Sequence, residues 1–285
     1  MNDRLRPLWD FDDLETTERR LREQLDRETT DPGRAEVLTQ LARIEGLQGR
    51  FDAGDKLIDE AVSLAGDDQA ARARIELERG RLRRSGGDPD AARPMFERAF
   101  GIAEDSGQTF IAADAAHMVA LVVGNTEAFV EWTRRGIDVA EADVDARHWL
   151  GPLYNNLGWE YYGAGDYEQA LDAFERQLVA REQERDPQQV IEIARYALGK
   201  ALRALGRSAE AVPMLETAVA WAEGDGAPDG WFHEELAEEY AAVGRDADAA
   251  TQARAAIPLL ERDDPDFSTD NRRSERLRTL AGTEN

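Results

Sequence analysis

The segment His233-Glu234-Glu235-Leu236-Ala237 comes nearest to a catalytic signature in this chain. A helical His-Glu-x-x-His puts two imidazoles on one face to hold zinc, with the glutamate as general base. Ala237 stands where the second imidazole belongs, so that chemistry is ruled out. The other two histidines, His117 and His148, fall in different helical stretches with no ligand spacing. No Gly-rich phosphate loop and no GxSxG elbow occurs. With no cysteine, thiolate nucleophiles, thiolate zinc sites and disulfides are excluded. The 59 acidic residues place carboxylate pairs on almost every helix by chance, so such pairs mark solvated faces rather than acid–base catalysis. The expectation is a protein that is not an enzyme and needs no metal or cofactor. Three aromatic segments stand out: Trp9-Asp10-Phe11-Asp12-Asp13, Arg147-His148-Trp149 and Asp229-Gly230-Trp231-Phe232-His233. The first reads as a cap packed on the first repeated unit, the other two as packing between units.

Composition narrows the partners. The 285 residues carry a formal net charge of −24, a field that repels nucleic-acid phosphates and anionic membrane surfaces. Neither is expected as a partner. Only Lys56 and Lys200 are lysine among 35 basic residues, which fits arginine codons of a GC-rich genome, and the acid excess suits a salt-rich, halophilic cytoplasm. The N-terminus leads into Asp and Glu instead of an apolar signal core, and no run of about 18 apolar residues occurs. The chain reads as cytoplasmic.

A repeat organises the rest. Tyr154-Asn155-Asn156-Leu157-Gly158-Trp159-Glu160-Tyr161 is followed by Gly165-Asp166-Tyr167, Ala170 and Phe174. This resembles the tetratricopeptide repeat, in which a small residue of the first helix faces a small residue of the second and a larger side chain fills the space beside them. With Gly158 as the reference, first-helix small residues recur as Ala42, Gly80, Ala116, Gly158, Gly199 and Ala237, and their partners as Gly54, Ala92, Ala128, Ala170, Ala211 and Ala249. The filler is Ile58, Phe96, Trp132, Phe174, Leu215 and Ala253. Copies lie 36 to 42 residues apart, longer than the family's roughly 34. The third copy is least regular, with Val123 at the turn and glycine one residue later.

The resemblance implies an all-α fold, an α-solenoid of about six helix hairpins in a right-handed superhelix. One domain over 1–285 is expected, with a capping helix in 1–30, six hairpins over 31–262 and a cap over 263–285. Phe11 to Glu28 reads as the first cap and Ser268 to Leu280 as the last, since solenoids need polar ends. Asp88-Pro89, Asp186-Pro187 and Asp229 read as helix starts. Pro94 and Pro213 fall inside helices, where a hydrogen bond is lost. Over about residues 9 to 262 the chain is similar to prokaryotic tetratricopeptide proteins consisting of the array alone.

In that family the first helix of each hairpin lines a binding groove. Carried onto this chain, one groove column is Arg43, Arg81, His117, Trp159, Lys200 and Glu238, a second adds Arg84, Tyr162 and Arg203, and a third adds Asn155, Tyr196 and Glu234. The residues that would clamp a chaperone C-terminus map to Ala113, His117, Asn156, Ile193 and Ala197, and only Asn156 fits, so that mode is rejected. Against a net charge of −24 the basic column would be an island of positive potential, with arginine forks for carboxylates and aromatic faces for packing. The expected role is a scaffold holding a protein or peptide with an acidic segment. The same arginines can instead be paired with neighbouring acids. A small-molecule sensor and a homo-oligomeric structural protein, a homodimer included, are the alternatives.

Overall fold

The computed structural model describes residues 3–282; the first two and last three residues of the expected caps lie outside them. The described residues form helices and turns without a strand: α1 (Leu14–Arg27), α2 (Asp31–Leu47), α3 (Phe51–Ala65), α4 (Gln69–Ser85), α5 (Pro89–Asp105), α6 (Thr109–Ala120), α7 (Thr126–Ala142), α8 (Leu150–Ala164), α9 (Tyr167–Glu184), α10 (Gln188–Ala204), α11 (Ser208–Gly224), α12 (Gly230–Ala242), α13 (Asp246–Asp263) and α14 (Asn271–Ala281). Short 3-10 segments stand at Arg6–Leu8 and Val144–Trp149. The chain divides into two compact units, Met1–Leu153 and Tyr154–Asn285.

Small residues set the spacing within each hairpin. Ala42, Ala116 and Ala237 have no exposed surface, nor do Ala92, Ala170 and Ala211 opposite, and Ile58, Phe96, Phe174 and Leu215 are equally buried. At Gly158 the α8 backbone lies so close to the Phe174 ring that a Cβ would come within 2.5 Å of Cδ1. Gly158→Val is therefore expected to cost about 3 kcal/mol, read by chemical denaturation, because the ring has no free space to enter. Unchanged stability would mean that α8 and α9 can separate without loss. The turn after α8 uses Gly165 at φ +80°, a conformation in which a side chain is strained.

The third hairpin departs from the expected register. On α7 the buried residues are Thr133, Gly136, Ile137 and Ala140, one position beyond the reading that placed Ala128 and Trp132 inside. Gly136, not Ala128, faces Ala116. Trp132 lies half-buried, edge-on to Phe100 at 5.3 Å, with the Arg135 guanidinium 4.1 Å from its ring. The turn after α6 differs from the others: Gly124 does not take the positive φ of Gly49, Gly87, Gly165, Gly206 and Gly244, α7 starts at Thr126, and an offset of one residue turns each side chain on it by about 100°.

Capping accounts for most boundaries. Thr30, Asp68, Asp88, Asn125, Asp229 and Asp270 each accept a backbone N–H of the first turn. Asp186 does not; its carboxylate takes Arg181 at 2.7 Å instead, and α10 begins after Pro187 without a side-chain cap. The first cap helix starts at Leu14, not Phe11, because the Asp13 carboxylate accepts from Thr16 N–H. Helices α5 and α11 continue through Pro94 and Pro213. None of the helices among the described residues is long and apolar enough to cross a membrane.

Candidate functional site

All the sequence-derived groove residues except Asn155 and Tyr162 gather in two hollows, one in each unit. In the first unit Arg43 of α2, Arg81 and Arg84 of α4 and His117 of α6 line a hollow of about 270 Å³. Its remaining walls are Gly46, Leu47, Leu82, Ser85, Met118, Leu121 and Trp149. No carboxylate is among these lining residues, although the chain holds 59.

Acids lie directly behind the cations. Arg81 donates to Glu78 at 2.5 Å and to Asp114, and these carboxylates are almost wholly buried. Burial opposes the Arg81 charge, but Asp114 and Glu78 outweigh it and raise its pKa. Arg43 lies 4.0 Å from the same Glu78, and burial pulls its pKa down. Arg84 is exposed and makes no ion pair or side-chain hydrogen bond among the described residues. Burial, with Arg81 and Arg84 nearby, pushes the His117 imidazole down to about 4, so the ring is neutral at pH 7 and stacks at a tilt on Trp149, centroids 5.5 Å apart. The Trp149 indole N–H is buried without a hydrogen-bond acceptor among the described residues.

In the second unit Trp159 of α8, Tyr196, Lys200 and Arg203 of α10, and Trp231, Glu234, Glu235 and Glu238 of α12 surround a hollow of about 520 Å³. Helix α14 closes one side with Arg272, Arg273 and Arg276. Lys200 and Arg203 both hold Glu235, at 3.2 and 2.5 Å, while Arg273 takes Glu234 at 2.5 Å and Arg276 takes Glu238 at 3.1 Å. Burial works against the Lys200 charge, but Glu235 outweighs it and raises the pKa. Tyr196, pushed up to about 12 chiefly by burial, is a neutral phenol. Asn155 and Tyr162 are not in this wall: Asn155 accepts from Trp159 Nε1 and Gln177 Nε2, both at 3.2 Å, and Tyr162 packs edge-on to Trp159 at 5.6 Å.

The expected island of positive potential is thus cancelled at Arg81, Lys200 and Arg203 by buried carboxylates. The second hollow sets five cations against four acids in its lining, Glu234, Glu235, Glu238 and Asp270, whereas the wall around Arg84 has no acid in its lining. Reversing Lys200 and Arg203 would strand Glu235, so such a variant reports folding before it reports binding.

Models of the tetratricopeptide repeat family match residues 33–105, 153–188 and 193–217. The chain is built of tetratricopeptide repeats. No curated protein sequence matches it. Among solved structures, apo RapI is similar with a TM-score of 0.73 at 13% identity, covering 94% of this chain and 76% of that one. A Rap protein complexed with Competence and Sporulation Factor gives 0.54 at 15%, covering 87% and 71%. A STAND signal-transduction ATPase with a tetratricopeptide repeat sensor, from Pyrococcus horikoshii, gives 0.68 at 14%; the match covers 87% of this chain but 40% of that protein. At these identities the likeness is one of fold.

Two features of the tetratricopeptide array escaped the sequence reading, and Trp149, singled out there as packing between units, lines the first hollow from a 3-10 segment. Arg272, Arg273 and Arg276 come from α14, which continues the series of first helices by packing on α13 and α12. The acids had a legible signal: Glu78, Asp114 and Glu235 each stand three residues before a member of the groove columns, as do Gln40 and Asn156. One helical turn separates such residues, so they share a face with the columns.

Proposed function

We propose that this protein is a non-catalytic binding scaffold whose first unit holds a peptide or protein segment in which acidic and apolar side chains alternate. The observation that carries the reading is the wall of the 270 Å³ hollow: Arg43, Arg81 and Arg84 with no carboxylate among them, in a chain of net charge −24. In the same lining Leu47 and Leu121 are exposed and Leu82 and Met118 are buried, so apolar surface accompanies the cations. A carboxylate there takes a charge-assisted bond from Arg84 that costs no existing ion pair. The fold is shared with a Rap protein complexed with Competence and Sporulation Factor, which is compatible with a peptide-holding role.

The hollow is smaller than the roughly 300–1,000 Å³ usual for small-molecule sites, which favours side chains of a larger partner over a free metabolite. Helix α1 exposes Arg19, Arg22, Glu23 and Arg27, and α14 exposes Arg272, Glu275, Arg276 and Thr279, which opposes association of copies through either helix.

Fluorescence anisotropy with a labelled Asp-Leu alternating peptide and its Lys-Leu counterpart tests the reading. The acidic peptide is expected to bind at least about tenfold tighter, and Arg84→Glu to remove about that factor without lowering the melting temperature. Equal affinity for the two peptides, or an Arg84→Glu chain that binds as wild type does, overturns it.

A further inference from the structure

Beside the Arg84 hollow, the face formed by α2, α4 and α6 is already occupied, and its occupant belongs to the same chain. Residues 3–12 cross it as a strap. One end is anchored in the core: Leu5 is 1% exposed, and the buried Asp3 carboxylate receives Arg74 at 2.5 Å, which also reaches Glu36 at 2.9 Å. The other end is more open: Asp10 exchanges two 2.8 Å hydrogen bonds with the Thr17 hydroxyl of α1, and the rings beside it are only partly covered. Trp9 and Phe11 stack at 4.9 Å with their planes 18° apart, and the Arg43 guanidinium lies 5.0 and 5.3 Å from their centroids. The Trp9 indole donates to Gln40 Oε1 at 3.0 Å, while Phe11 remains 52% exposed.

Arg43 is the element shared by strap and hollow, since it lines both the seat of Trp9 and Phe11 and the acid-free wall. Its nearest carboxylate, Glu78 at 4.0 Å, is already committed to Arg81 at 2.5 Å. A half-buried guanidinium with so weak an ionic partner leans on the negative faces of aromatic rings. A carboxylate would satisfy it better.

We propose that the seat formed by Gln40, Arg43, Leu77 and Glu78 is an interaction subsite for an acidic segment carrying two aromatic residues separated by one acid, filled in cis by Trp9-Asp10-Phe11-Asp12. A partner segment of that chemistry displaces the aromatic end of the strap, while the anchor at Asp3 and Leu5 stays in place. Because the strap holds Arg43 against its rings, it also opposes the turning of Arg43 toward a carboxylate in the neighbouring hollow. That regulation rests on the Arg84 hollow being a binding site; occupancy of the seat does not.

The test uses the full chain and a fluorescein-labelled peptide of residues 7–13, Pro-Leu-Trp-Asp-Phe-Asp-Asp. In wild type the tethered copy competes at an effective concentration on the order of millimolar, so capture of the peptide is weak. In Trp9→Ala/Phe11→Ala, which leaves the anchor intact, capture is expected to tighten by about tenfold or more, and Arg43→Gln in that background to abolish the gain. Should the double variant lose its melting transition, Phe11→Ala alone reads the same quantity, its ring touching Trp9 and Arg43. A folded, vacated chain that captures the peptide no better than wild type, or as well with Arg43→Gln, reduces the strap to a structural cap. The Asp-Leu peptide, run on the same variants, separates the two readings. Tighter binding to the vacated chain supports regulation. Binding of the strap peptide without any binding of the Asp-Leu peptide upholds the seat and removes the Arg84 hollow as a binding site and regulation with it.

Discussion

Replacing Arg81 with methionine is expected to lower the stability of the first unit by about 3–5 kcal/mol at pH 7. The guanidinium holds two carboxylates, Glu78 and Asp114, which are 1% and 3% exposed, and it is the cation that both acids share. Removing it leaves these acids to be buried charged or to take up protons, and both options cost folding free energy. Arg43 compensates little from 4.0 Å. Methionine keeps the aliphatic stem, so the loss is electrostatic and not one of packing. A double-mutant cycle with Asp114→Asn, followed by urea denaturation, decides the matter: strong non-additivity is expected, because Arg81→Met in the Asp114→Asn background strands one acid instead of two. Additive losses would show that the triad carries no coupling.

Two glutamates four residues apart on α12 are set to titrate in opposite directions. Burial raises the Glu235 carboxyl, but Arg203 and Lys200 outweigh it and its pKa falls below the ordinary glutamate value. Glu239, with no exposed surface, is pushed up to about 7 chiefly by burial, with Glu235 adding to the shift and the Ser208 hydroxyl and Arg203 opposing it. The folded state therefore holds a proton that the unfolded chain releases near 4.5. Stability from this group is fully present below pH 4.5, declines as pH rises and is lost above about 7. Glu239→Gln removes the titration. Its expected effect is a gain of about 3 kcal/mol at pH 8 that shrinks toward zero by pH 4.5, measured by denaturation across that range. A gain that does not change with pH would mean that Glu239 is ionised in the folded protein, or that another proton source masks it.

Both effects arise where charge is buried, and this is also where sequence reasoning reached its limit. The groove columns put Arg43, Arg81, Arg84, His117, Trp159, Lys200 and Arg203 in a single groove, and the structure brings the first four to one hollow and the last three to another. They could not tell Arg84, which has no ion pair, from Arg81, which holds two acids, because both are arginines on the same face of the same helix. Asn155 and Tyr162 share the frame but serve the wall behind Trp159. In the third hairpin, where Gly124 does not take the positive φ of the other turn glycines, the buried face of α7 carries Thr133 and Gly136 instead of Ala128 and Trp132.

The sequence by itself determined the helices, their pairing into hairpins and, outside the third hairpin, the small residues on which each pair closes. Those are local properties: caps act within one turn, and the contact of Gly158 with Phe174 spans a single hairpin. Only the tertiary structure decided which cations are neutralised, that the Trp9–Phe11 end of the strap lies over Arg43, and that α14 brings three arginines to the second hollow. The pairs concerned, such as Lys200 with Glu235 and Arg273 with Glu234, join residues 35 and 39 positions apart. Their distances depend on how one hairpin stacks on its neighbour, and an electrostatic interaction that changes severalfold between a buried pair and a solvated one cannot be read from residue type and spacing alone.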